Sequence, residues 1–165
     1  MEKCKLCPRN CGADRTAGKI GVCGMTAEMR IARAALHRFE EPPISGSRGS
    51  GTVFFVGCPL RCVFCQNRDI SHGAEYGVAV TPQELARIFL ELEAQGAHNI
   101  NLVTPTHFAD GIAEALRLAR PELHIPVVYN TSGYEKVGTL QMLEGLVNIY
   151  MPDFKYMSPE LSARY

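Results

Sequence analysis

The sequence predicts an α/β fold with a parallel sheet, preceded by a small cysteine-rich module. Two observations predict it. Short apolar runs alternate with amphipathic runs of about ten residues, the rhythm of βαβ units and so of parallel strands. The seven cysteines also divide: Cys4, Cys7, Cys11 and Cys23 lie in residues 1–24, Cys58, Cys62 and Cys65 follow the first apolar run, and the last hundred residues have none. Groups of four and three imply two separate sites.

Residues 1–24 are Cys- and Gly-rich without a clear period and read as a small metal-organised module. Residues 25–51 form a β-rich lead-in with some alternation, ending in Pro42-Pro43 and the glycine-rich run SGSRGSG. Residues 52–165 hold the repeating units. TVFFVG (52–57) is apolar, β-branched and aromatic, as a buried strand is. TPQELARIFLELEAQG is a helix with Thr81 as N-cap, Pro82 first and Glu84 closing a capping box. Leu85, Ile88, Phe89 and Leu92 give it one apolar face, and Gly96 can end it. NINLVTP (99–105) is a second strand. ADGIAEALRLARP is a second helix, with Asp110 as cap and Pro121 as stop. IPVVYNTSG (125–133) is a third strand, GTLQMLEGL a short helix and VNIYMPDF (147–154) a fourth strand. The rhythm then stops at SPELSARY, where the next helix should begin.

At 46% hydrophobic and 21% charged, the chain of 165 residues should build a real core. Lys+Arg and Asp+Glu both number 17, so net charge gives no reason to expect nucleic acid or an anionic membrane as partner. MEKCKLCPRN has no apolar run and does not read as a signal peptide. No stretch is long enough to span a bilayer. A cytoplasmic location is expected, where thiols stay reduced and an odd, high cysteine count favours metal over disulfides.

Polar residues gather where the strands end: Cys58, then Thr104 and Thr106, then Asn130, Thr131 and Ser132, then Asp153 and Lys155. In a parallel sheet these ends share one edge, where βα loops build sites. Such residues also start turns and cap helices, but four groups beside a thiol cluster favour a site. The cluster itself is the sharpest signal. Structural zinc takes four protein ligands, whereas an iron–sulfur cubane takes thiolates, one per iron. Three cysteines therefore leave one iron free for a small chelating molecule.

Cys58-x-x-x-Cys62-x-x-Cys65 resembles the signature of the radical S-adenosylmethionine (radical SAM) enzymes. With ISGSRGSGTVFFVGCPLRCVFCQN, NINLVTPTH, YNTSGY and MPDFKY, the chain looks like a subgroup related to the pyruvate formate-lyase activating enzymes. The resemblance implies a [4Fe–4S] cluster, S-adenosylmethionine bound at its open iron, and reductive cleavage to a 5′-deoxyadenosyl radical. It also implies a (β/α) barrel of about six units, of which four strands are legible here: a partial, truncated barrel. Its open edge should promote self-association. By the same resemblance Phe64 would pack near adenine. Thr104 and Thr106 stand where the family has a glycine-rich stretch that meets the methionine amine, though the glycines and glutamate are absent. Asn130, Thr131 and Ser132 would border S-adenosylmethionine. Asp153 would accept from a hydroxyl and Lys155 pair with a carboxylate. Asn130 replaces an aspartate that holds a monovalent cation in some activases. The implied activity is glycyl-radical formation on a protein partner, with a reduced flavodoxin or ferredoxin-type electron donor; a small-molecule substrate is the other option.

Cys4, Cys7, Cys11 and Cys23 suffice for zinc or for a second, fully ligated cluster. His37, His72, His98, His107 and His124 are single, and His107, just past the second strand, is the candidate for a catalytic contact. Two other classes remain open: a non-catalytic iron–sulfur module for electron transfer or sensing, and a zinc-dependent interaction protein.

Overall fold

A computed structural model describes residues 3–73 and 76–164. The chain runs β1 (Met29–His37), α1 (Pro42–Ser45), β2 (Ser50–Phe55), α2 (Arg68–His72), β3 (Val78–Val80), α3 (Pro82–Ala94) and β4 (Ile100–Val103). A single 3₁₀ turn (Thr106–Phe108), α4 (Ala109–Ala119), β5 (Val127–Thr131), α5 (Val137–Gln141), β6 (Ile149–Pro152) and α6 (Pro159–Arg164) follow.

Of the helices expected from the sequence, α3 forms for the reasons given. Thr81 and Glu84 cap each other reciprocally: the Thr81 hydroxyl accepts the Glu84 N–H at 3.2 Å, and the Glu84 carboxylate accepts the Thr81 N–H at 2.8 Å. Leu85, Phe89 and Leu92 of α3 pack with Ile112 and Leu116 of α4 in one apolar cluster. Asp110 is not the cap of α4. The chain enters through the 3₁₀ turn, Phe108 holds the cap position, and the Asp110 carboxylate accepts the neighbouring Gly111 N–H instead. α5 is shorter than the expected 138–146 run; it ends at Gln141, and the chain continues in turns through Gly145 at φ 73°.

Among the described residues the sheet has six strands, in the order β3-β1-β2-β4-β5-β6. The four strands read from the sequence, β2, β4, β5 and β6, are parallel. The sheet is nevertheless mixed, because β1 pairs antiparallel with both β2 and β3. The β-rich lead-in thus contributes β1 and the first residues of β2 to the sheet. The described sheet has β3 and β6 as its two edges, so it is an open α/β sheet over these residues.

Register settles which side chains share a face. Val53, Leu102 and Tyr129 are aligned and point into the apolar cluster beneath α3 and α4. One residue on, Phe54, Val103, Asn130 and Met151 are aligned and line a cleft. The side-chain period of two makes one row core and the next row site.

Candidate functional site

The cleft has a volume of about 560 Å³. It is lined by Cys58, Cys62, Phe64 and Cys65 from the β2–α2 loop, Thr104 after β4, Asn130, Thr131 and Ser132 at the end of β5, and Asp153 and Lys155 after β6. Sequence-distant groups meet here because parallel strands deliver their carboxyl ends to one edge.

Cys58 and Cys62 are buried, while Cys65 is half-buried and accepts a hydrogen bond from the Ser71 hydroxyl at 3.3 Å. Burial pushes the Cys62 thiol up, against the opposing pull of Lys155. Arg61, within this loop, sits at φ 56°, a left-handed conformation that is uncommon outside glycine. Lys155 and Asp153 form a 2.6 Å ion pair. Burial lowers the ammonium's pKa, but the Asp153 hydrogen bond and charge, with the thiols of Cys62 and Cys58, outweigh it and raise it overall. Phe64 is 56% exposed and meets Tyr156 edge-on at 6.0 Å. Thr104 is also left-handed, at φ 57°, and its N–H donates to the Asn130 carbonyl at 3.0 Å.

Two expected groups are not brought to the cleft. Thr106 is buried and donates to the Glu135 carboxylate at 2.5 Å; Thr131 donates to the same oxygen. His107 is 1% exposed, with Nε2 placed 2.7 Å from the Val56 carbonyl. Burial drives its pKa down to about 4, so the ring is neutral and Nε2–H is the donor. The turn from Pro105 tucks both side chains into the protein. Conversely, His37 and Glu40 line the cleft from the end of β1 and the loop after it, and burial raises the Glu40 carboxyl. The alternation of MRIARAALH could have announced β1, and with it His37.

The other four cysteines occupy a turn-rich segment ahead of β1. Cys7 and Cys23 are buried, and burial raises both thiols; Cys11 is lowered, first by the Ala13 backbone N–H. A β-carbon on Gly21 would lie 3.4 Å from the sulfurs of both Cys11 and Cys23, so a glycine keeps the space between them clear. Arg15 pins this segment to the sheet domain: its guanidinium donates to the carbonyls of Thr26 and His107, the latter at 2.7 Å, and lies 3.7 Å from the Cys4 sulfur. The two cysteine segments touch directly, the Cys58 N–H donating to the Cys23 carbonyl at 3.1 Å.

Among the described residues no three His, Cys, Asp or Glu side chains converge closely enough to grip an ion as they stand. The chemistry of the second donor set still fits a cubane: three thiols on one loop, on the wall of a cleft large enough for a further ligand.

A cysteine trio in the first βα loop of a mostly parallel α/β sheet faces polar strand ends across a cleft, which is the donor pattern an iron–sulfur cluster open to a ligand would require. The family model of the Radical SAM superfamily matches residues 52–165, and the chain belongs to that superfamily. Membership implies a [4Fe–4S] cluster and S-adenosylmethionine as cofactors. Over 172 residues the chain is 31% identical to an uncharacterized protein of Methanocaldococcus jannaschii, an alignment covering 99% of this chain and 48% of that relative. The chain thus spans about half the relative's length. No solved structure gives a significant match. Among the described residues no helix is long and apolar enough to cross a membrane.

Proposed function

We propose that this radical SAM enzyme is a cytoplasmic activase, related to the pyruvate formate-lyase activating enzymes, that generates a glycyl radical on a partner protein. The observation that supports this reading is the cleft itself, where the three thiols face the polar ends of β4, β5 and β6. Cys58, Cys62 and Cys65 would hold the [4Fe–4S] cluster. When bound, the cluster supplies the electron that cleaves S-adenosylmethionine to methionine and a 5′-deoxyadenosyl radical.

The chain's own groups orient the substrate. Asn130 and Ser132 offer an amide and a hydroxyl along one wall, while the Thr131 hydroxyl is turned inward onto Glu135. Asp153 accepts from a ribose hydroxyl, while Lys155, held charged by Asp153, meets a carboxylate. Phe64 offers an exposed aromatic face to adenine. Thr104 holds its backbone left-handed where the methionine amine would approach. Thr106 and His107 are held within the fold, by Glu135 and the Val56 carbonyl, and are given no part in the reaction.

The first four cysteines hold zinc or a second cluster, the Gly21 gap leaving room between two of the sulfurs. A flavodoxin or ferredoxin-type protein delivers the reducing electron, and β6, an edge strand among the described residues, offers a partner for self-association. The test is anaerobic reconstitution with iron and sulfide, reduction with S-adenosylmethionine, and assay for 5′-deoxyadenosine. Its appearance supports the radical reaction, and a glycyl radical signal on an added partner supports the activase assignment. Iron whose spectrum ignores S-adenosylmethionine, or zinc alone at the trio, would sink it.

A further inference from the structure

The Cys58–Cys65 loop has few hydrogen bonds of its own. Within it the backbone makes one short-range bond, Cys65 N–H to the Cys62 carbonyl at 3.2 Å. Pro59 has no N–H, and Arg61 holds a left-handed backbone. A loop so built needs its shape imposed from outside.

The N-terminal segment supplies that shape. Arg9, between Cys7 and Cys11, donates from Nε to the Pro59 carbonyl at 2.9 Å and from its second terminal nitrogen to the Leu60 carbonyl at 3.2 Å. Its guanidinium carbon lies over the Tyr134 ring, 5.5 Å from its centre, within cation–π range. The Cys23 carbonyl takes the Cys58 N–H, and the Val22 carbonyl takes the Arg61 side chain at 3.3 Å. The stretch before the trio's second cysteine is thus held at four points by residues 9 to 23.

We propose that the first cysteine segment is the splint that shapes the cluster-binding loop, with Arg9 as its positioning residue. The inference rests on Cys58, Cys62 and Cys65 being the cluster ligands. A planar fork can satisfy two consecutive carbonyls at once, and a lysine ammonium cannot reproduce that geometry. Arg9 is not among the residues that line the cleft; it acts through the path of the chain between Cys58 and Cys62. The two cysteine groups are accordingly not independent: an intact first segment presets the second site.

The experiment compares wild type, Arg9→Lys and Arg9→Ala after anaerobic reconstitution. It reads iron per chain, the electron paramagnetic resonance spectrum of the reduced cluster with and without S-adenosylmethionine, and the thermal midpoint. The expected result is a several-fold loss of cluster iron in both variants, with an altered response to S-adenosylmethionine. In Arg9→Lys the thermal midpoint and the metal at the first four cysteines stay unchanged. Full iron and a wild-type spectrum in Arg9→Lys overturn the proposal. So does equal loss of metal from both cysteine groups, which would make Arg9 a residue of the fold alone. Wild type that binds no iron at the trio instead defeats the functional reading beneath it.

Discussion

Two rows of the same strands lie one residue apart and do opposite work. Val53, Leu102 and Tyr129 are sealed against α3 and α4, and each is 0% exposed. Phe54, Val103, Asn130 and Met151 face the cleft and the thiols. The pleat alone separates them. Substitutions on the first row should change stability and leave the chemistry; those around the second should do the reverse.

The largest effect tests the cleft side. Cys62→Ala should reduce 5′-deoxyadenosine to background while leaving the thermal midpoint and the metal of the first four cysteines unchanged; product persisting in that variant would break the division. On the helix side, Phe89→Ala opens a cavity beneath the sheet and should cost about 3–5 kcal/mol in chemical denaturation. Its reconstituted cluster should still answer S-adenosylmethionine below the new melting point.

His107 sharpens the comparison through pH. Its native pKa of about 4 lies below the ordinary histidine value of 6.5. The unfolded chain therefore binds the proton first as pH falls, so stability is complete above 6.5 and is lost between 6.5 and 4. The loss approaches about 3 kcal/mol by the bottom of that window. His107→Gln should flatten the slope in denaturation curves taken across it; an unchanged slope assigns the acid sensitivity to other groups. The smallest effect lies far from the cleft: Thr81→Ala should cost about 1 kcal/mol by removing the cap of α3, with no change in cofactor binding.

Legibility in the sequence followed the range of the forces. The α3 cap, the apolar face of α3 and the four parallel strands depend on neighbours a few residues apart, and these were readable. β3 was not, since Val78-Ala79-Val80 is too short to show a period and pairs with Met29–Ile31 nearly fifty positions away. The direction of the turn at Pro105 was equally hidden: counting put Thr106 and His107 beyond a strand end, while the fold buried both. In the cleft, the trio's spacing announced itself locally, whereas the grip of Arg9 on Pro59 and Leu60 spans about fifty residues and leaves no local trace.

That long reach has a consequence in time. The Leu6 carbonyl waits for the Thr139 hydroxyl, 133 positions later, and the Lys5 carbonyl for Lys136, 131 positions later. During synthesis from the ribosome the first four thiols emerge well before Lys136 and Thr139, the residues on which their segment docks. Contacts so distant along the chain form slowly, so those sulfurs meet the metals and oxidants of their surroundings before the fold can shelter them.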